Sequence, residues 1–278
     1  MVSVKRFVLD EPELFQASKE FVRIFADMPD PVLLVARKAK SLNAGIAWTL
    51  LGTALFQDCS YPEIANLLSN LYESFPDEKL WSLPVPSGTA INDVVKASMG
   101  GCHWSVFEHV PGIFWSVGLF VRHHPDLASW ASSRTPEEMW RDLGEIYFMG
   151  KSNPRPKACA AIYRIIAPVP LGLGVVYRES RKMPPLPLTM GARRFLAILG
   201  PAKDDNFSGL DSLAKQKLAN AYFRALSPGN PYLASHSLQF FLEDGNTDFI
   251  CRNRTEHCQS CPLYELCNYA ERHEKYYL

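Results

Sequence analysis

Apolar residues recur along this chain at helical spacing, and the strict alternation of a half-buried strand is scarce. Residues 11–25 mix apolar and charged positions with the period of an amphipathic helix. Residues 41–57 open on Ser41, a favourable N-cap, and continue almost entirely apolar; a helix with no polar face must be buried. Residues 61–72 (YPEIANLLSNLY) are amphipathic, with Pro62 suited to a first turn. Residues 76–86 read as a loop with one short turn, and residues 106–123 as an aromatic, apolar segment interrupted by Pro111-Gly112. Thr135 and Glu138 have the spacing of a capping box at the start of another helix. Residues 157–166 are helical and stop before Pro168; the Pro- and Gly-rich stretch 168–187 is the longest irregular one. Helices over 190–199, 211–226 (with Asp211 as cap) and 232–243 complete the pattern. No internal repeat interrupts it. The expected fold class is all-α.

The chain has 278 residues, 47% of them hydrophobic, enough for one large domain or two closely associated lobes. The opening residues MVSVKRFVLDEPELF lack the apolar core and small-residue cleavage site of a signal peptide. The longest apolar run, around residues 46–56, is core-helix sized and short of the roughly 18 residues of a membrane span. Seven cysteines without secretion signals fit a reducing compartment, so a cytoplasmic, membrane-free monomer is expected; Cys59, Cys102 and Cys159 read as small buried hydrophobes. Net charge is zero but unevenly spread. Residues 151–194 hold nine basic residues (Lys151, Arg155, Lys157, Arg164, Arg178, Arg181, Lys182, Arg193, Arg194) against one acid, Glu179. Such a block is either a phosphate-facing surface or a solvated face without a partner.

The last 28 residues contain Cys251, Cys258, Cys261 and Cys267 in the run C-x6-C-x2-C-x5-C. Two disulfides or a zinc site would use the same residue type. A single loop with four thiolates, however, is suited to wrapping an iron–sulfur cubane, whereas zinc more often takes two separated knuckle pairs. The candidate cofactor is a [4Fe–4S] cluster held by these four cysteines.

This spacing resembles the C-terminal cluster loop of the helix-hairpin-helix DNA glycosylases of the endonuclease III and adenine-mismatch type. The segment WTLLGTALFQDCSYPEIANLLSNLYESFP is similar to that family's early buried helix, its glutamine-containing turn and the next helix. The resemblance spans about residues 41–267. It implies a two-lobed helical glycosylase-like fold: an N-terminal helical extension (1–40), a helical lobe (41–135), a helix-hairpin-helix-like lobe (136–245), and the cluster loop and tail (246–278). It also implies duplex DNA, damaged or mispaired, as partner, and cleavage of the N-glycosidic bond of an extruded base. On this match Gln57 stands where the family's glutamine fills the gap left by that base.

The family's hairpin reads LPGxG followed by a basic residue, then a catalytic aspartate after a Gly/Pro-rich loop, and bifunctional members add a nucleophilic lysine. The chain has no LPGxG, and two registers fit. In the first, the hairpin lies in residues 143–161 (LGEIYFMGKSNPRPKACAA), with Gly150 and Lys151, or Arg155 and Lys157, at phosphate. Thr189 then falls at the carboxylate position, where a hydroxyl cannot supply negative charge. In the second, residues 187–191 form the hairpin, with Arg193 (beside Arg194) in the lysine position. Asp211 then becomes the carboxylate, although it also opens a helix as a preferred N-cap. Lys157 is an amine nucleophile only if burial or nearby charge depresses its pKa. The expected activity is therefore DNA N-glycosidic bond cleavage. Its competitors are a non-catalytic damage-sensing module and a glycosidase acting on RNA or a nucleoside. Purified protein should be brown and carry about four irons per chain; one tightly bound zinc and no iron would refute the cluster.

Overall fold

A computed structural model describes residues 4–76, 80–81, 86–100, 104–150, 154–179, 182–201, 210–242 and 263–267. Among them there are α-helices and short 3-10 turns but no strand, so the fold is all-α. The helices are α1 (Val4–Asp10), α2 (Pro12–Ile24), α3 (Pro31–Ala36), α4 (Leu42–Leu55), α5 (Tyr61–Ser74) and α6 (Gly88–Ser98). There follow α7 (Val110–His123), α8 (Leu127–Ser133), α9 (Pro136–Asp142), α10 (Pro156–Ile166), α11 (Met190–Ile198), α12 (Ser212–Leu226) and α13 (Pro231–Gln239). None of the described helices is long and apolar enough to cross a membrane.

Local sequence explains most boundaries. Ser41, Ser60, Thr135 and Asp211 each accept a hydrogen bond from a first-turn N–H of the helix they precede. Ser60–Glu63 and Thr135–Glu138 are complete capping boxes. The expected break in residues 106–123 falls one residue before Pro111, between a 3-10 turn (Phe107–His109) and α7; Pro111 sits in the first turn of α7, where its missing N–H would have had no partner anyway. Helices α3, α6 and α8 lie in stretches without a predicted helix, yet Asp30, Ser87 and Asp126 cap them.

The chain divides into two compact units, residues 29–184 and residues 1–28 with 185–278. This differs from the expected boundaries at 40 and 135. Residues 1–28 belong with the C-terminal part because Tyr222 donates to Ser18 Oγ (2.9 Å) and Ser237 donates to the Val22 carbonyl (3.0 Å). Rings of Phe21, Phe195 and Phe241 interlock in the same core, with centroids 5.0–6.0 Å apart.

In the 29–184 unit, α4 is the axis. Every residue from 44 to 55 is buried, and α3, α5, α7, α8 and α10 pack around it. Inside this apolar cluster lies one ion pair: Arg164 Nε donates to Asp30 Oδ2 at 2.9 Å, and Arg164 Nη1 donates to Thr53 Oγ1 at 3.1 Å. Asp30 is 3% and Arg164 4% exposed, while the second carboxylate oxygen caps α3. This pair locks α3, α4 and α10 together because neither charge has access to water. Arg164→Ala should lower unfolding free energy by about 3–5 kcal/mol in urea titration, since it strands a buried carboxylate. Asp30→Asn combined with Arg164→Met should recover much of that loss, and a double variant as unstable as the single would refute the account.

Candidate active site around Lys157

Helices α9 and α10 are joined by a strained connection. It begins with a single 3-10 turn, Leu143–Glu145, continues through Phe148 at φ +72° and Gly150 at φ +97°, and ends at Arg155, φ +50°, immediately before α10. Gly150 occupies a left-handed conformation that a side chain would oppose. Among the described residues, the non-glycine residues at positive φ are Asp58, Phe148 and Arg155. Phe148 and Asp58 both act on Lys157, and Arg155 stands two residues before it. Backbone strain of this kind costs on the order of 1–3 kcal/mol per residue and concentrates at functional sites.

Lys157 is the second residue of α10 and is largely, though not fully, buried. Its Nζ donates to the carbonyl of Ala54 at 2.7 Å and lies 4.8 Å from the centre of the Phe148 ring. The Ala54 carbonyl is in the last turn of α4 and so lacks a helical donor. Burial lowers the Lys157 pKa from 10.5 to about 8, against the opposing influence of Cys59 and Asp58. An appreciable fraction of the amine is therefore neutral near physiological pH, which is what a nitrogen nucleophile needs.

The facing wall is the turn after α4. Gln57 and Asp58 are exposed there. Trp104 Nε1 donates to the Gln57 carbonyl (2.6 Å), Ser105 Oγ donates to Asp58 Oδ2 (2.6 Å), and Gln57 Nε2 approaches the same oxygen at 3.4 Å. Cys59 is inert as a nucleophile, because burial pushes its thiol up to about 12. Beside Phe148, Tyr147 Oη and His109 Nδ1 are 2.9 Å apart, which extends an aromatic edge along the site.

The structure thus brings together Gln57 and Lys157 and adds Asp58, Trp104, Ser105 and Phe148. Arg155 turns inward, with Nη1 donating to the Trp140 carbonyl (3.1 Å) and the guanidinium 4.4 Å over the Trp140 ring. Thr189, Arg193, Arg194 and Asp211 belong to the other unit. Thr189 caps α11, accepting from Ala192 N (3.3 Å), and Asp211 caps α12, accepting from Ala214 N (2.7 Å). Gly191, the hairpin glycine of the second register, is buried within α11, and a Cβ there would collide with the Gln239 carbonyl. That backbone is closed to a phosphate. Arg193 is exposed and Arg194 half-buried on α11.

Lys151, Cys251, Cys258 and Cys261 lie outside the described residues. Cys267 is half-buried and follows the turn Tyr264–Leu266, its N–H donating to the Tyr264 carbonyl at 3.1 Å. Four cysteine thiolates remain a donor set chemically suited to a [4Fe–4S] cluster. Asp58 and Phe148 were not singled out in the sequence; the signal for Asp58 was its position directly after Gln57. No protein-family profile, curated protein sequence or solved structure matches the chain.

The buried amine should be visible in stability. Below about pH 8 folded and unfolded chains both hold the proton, and the folded state bears the full cost of a buried ammonium. Between about 8 and 10.5 the folded chain releases it first, so stability from this group rises with pH and levels off above 10.5. Lys157→Met, which also removes the donor to the Ala54 carbonyl, should lack that rise in urea denaturation followed from about pH 7 to 10.5. A destabilised variant with an unchanged pH profile would contradict the assignment.

Proposed function

We propose that this protein is a DNA N-glycosylase of the helix-hairpin-helix type that uses Lys157 as its nucleophile. The observation that carries the reading is the largely buried Lys157 amine, with its pKa lowered to about 8, in the first turn of α10 after a strained connection and bonded to the Ala54 carbonyl three residues before the exposed Gln57. The loop between α9 and α10 and its left-handed Gly150 support the first of the two registers, and the packing of Gly191 against Gln239 weighs against the second.

In this reading a duplex binds with the target nucleotide extruded, Gln57 fills the vacated position, and Gly150 and Lys151 contribute phosphate contacts. The neutral Nζ attacks C1′ of the deoxyribose. The C1′–N bond breaks, its electron pair leaves with the base, and the base takes up a proton. Loss of a proton from Nζ and opening of the C1′–O4′ bond then leave an imine between Lys157 and the sugar. Cys251, Cys258, Cys261 and Cys267 would hold the [4Fe–4S] cluster, which would cross-link these four positions of the chain. Phe148 covers one side of the amine, its ring centre 4.8 Å from Nζ, and contributes to the burial that lowers the Lys157 pKa, although a ring face by itself favours the ammonium.

The test is imine trapping. Borohydride added to protein mixed with a duplex carrying one abasic site should yield a stable protein–DNA adduct, and peptide mapping should place it on Lys157. Lys157→Ala should abolish the adduct while retaining DNA binding. A panel of damaged and mispaired duplexes then identifies the excised base. DNA binding without adduct or base release would favour a non-catalytic damage sensor, and turnover of RNA or free nucleosides would move the activity to those substrates.

A further inference from the structure

The reading of Lys157 as nucleophile leaves a charge missing. Neither position that the family resemblance offers for a carboxylate is suited to the role. Thr189 has none, and Asp211 directs Oδ1 to the Ala214 N–H at the start of α12. A sugar that becomes cationic as its glycosidic bond breaks, and an amine that must lose a proton, both call for a nearby anion.

We propose that Asp58 is the carboxylate of this site, receiving the proton that Lys157 Nζ sheds and returning it to O4′ of the sugar. Three features of the geometry support this. First, Asp58 leaves α4 four residues after Ala54, whose carbonyl holds Lys157 Nζ at 2.7 Å, so the two groups share one turn of backbone. Second, the side chain is fixed: Ser105 Oγ and Gln57 Nε2 both end on Oδ2, and Oδ1 has no hydrogen-bond donor among the described residues. Third, the backbone at Asp58 has φ +52°, next to the Gln57 carbonyl that accepts from Trp104 Nε1, a conformation that Asp tolerates better than most residues. The remaining ionisable groups nearby are otherwise engaged. Cys59 is a protonated thiol, Glu63 Oε2 accepts from Ser60 N and Oγ, and His109 is paired with Tyr147. The sign of Asp58's influence on Lys157 agrees, since its charge favours the ammonium.

The step balances. As Nζ bonds to C1′ it becomes a dialkylammonium; one proton passes to the Asp58 carboxylate, and the freed lone pair forms the C=N bond as C1′–O4′ breaks. The same proton ends on O4′, so Asp58 is regenerated as the anion.

This inference rests on the glycosylase reading, and single-turnover borohydride trapping on an abasic-site duplex separates the two. Asp58→Asn, which keeps the left-handed backbone, should slow trapping by about 100-fold or more with little change in DNA affinity. It should also shift the acid limb of the pH–rate profile downward, because removing the anion makes Lys157 easier to deprotonate. Asp58→Glu should restore part of the rate. Ser105→Ala should cause a smaller loss by freeing the carboxylate. Wild-type rate and profile in Asp58→Asn would overturn the assignment, as would a comparable loss confined to Asp211→Asn. Failure of the wild-type protein to trap at all would overturn both the glycosylase reading and Asp58's role in it.

Discussion

Helix α4 has no polar face from residue 44 to residue 55, and the 29–184 unit is organised by the need to cover it on every side. Helices α3, α5, α7, α8 and α10 do so. Burying an apolar helix completely also buries its terminal carbonyls, which lose the water that would otherwise hydrogen-bond them. At the end of α4 the Ala54 carbonyl is met by Lys157, an amine drawn in from α10. The constraint that builds the core thus places a desolvated lysine at its edge, and the chemical interest of the site follows from it.

The same unit contains a second charge that water does not reach, and the contrast is instructive. Arg164 lies two turns further along α10, and its guanidinium is neutralised by Asp30 and bonded to Thr53. It serves to register three helices. Lys157 has no such close ion pair; it has a carbonyl, an aromatic ring and a carboxylate one turn of backbone away. One cation is thereby held charged and structural, while the other is poised to lose its proton. Burial is common to both, and the difference lies first in the group, since a guanidinium keeps its proton where an amine can lose it, and then in how near a counter-charge is fixed.

The second unit is built on different terms. Its aromatic core, Phe21, Phe195, Phe241 and Tyr222, is supplemented by hydroxyl-to-backbone bonds such as Ser235 to the Pro187 carbonyl at 2.6 Å. There Thr189 and Asp211 are helix caps, and Gly191 is space for a neighbouring carbonyl. Both roles use the residue types that a catalytic motif uses, which is why spacing alone could not separate the two registers. An Asp before a helix and an Asp in a glycosylase pocket look alike in one dimension.

Helical period and capping residues were enough, from the sequence alone, to read nine of the helices and the all-α class, because these are properties of consecutive residues. Helices α1, α3, α6 and α8 escaped: α1, α3 and α8 have six or seven residues and show too little periodicity, and the capping residues Asp30, Ser87 and Asp126 before α3, α6 and α8 do not by themselves mark a start. The four clustered cysteines and Gln57 stand out in the sequence as candidate motifs, because a motif too is a pattern of nearby residues. What only the tertiary structure decided were relations between distant residues: the return of residues 1–28 to the C-terminal part, the pairing of Asp30 with Arg164, and the meeting of Lys157 with the Ala54 carbonyl. The depressed pKa of Lys157 belongs to this second group, because burial depends on what the rest of the chain places around a side chain.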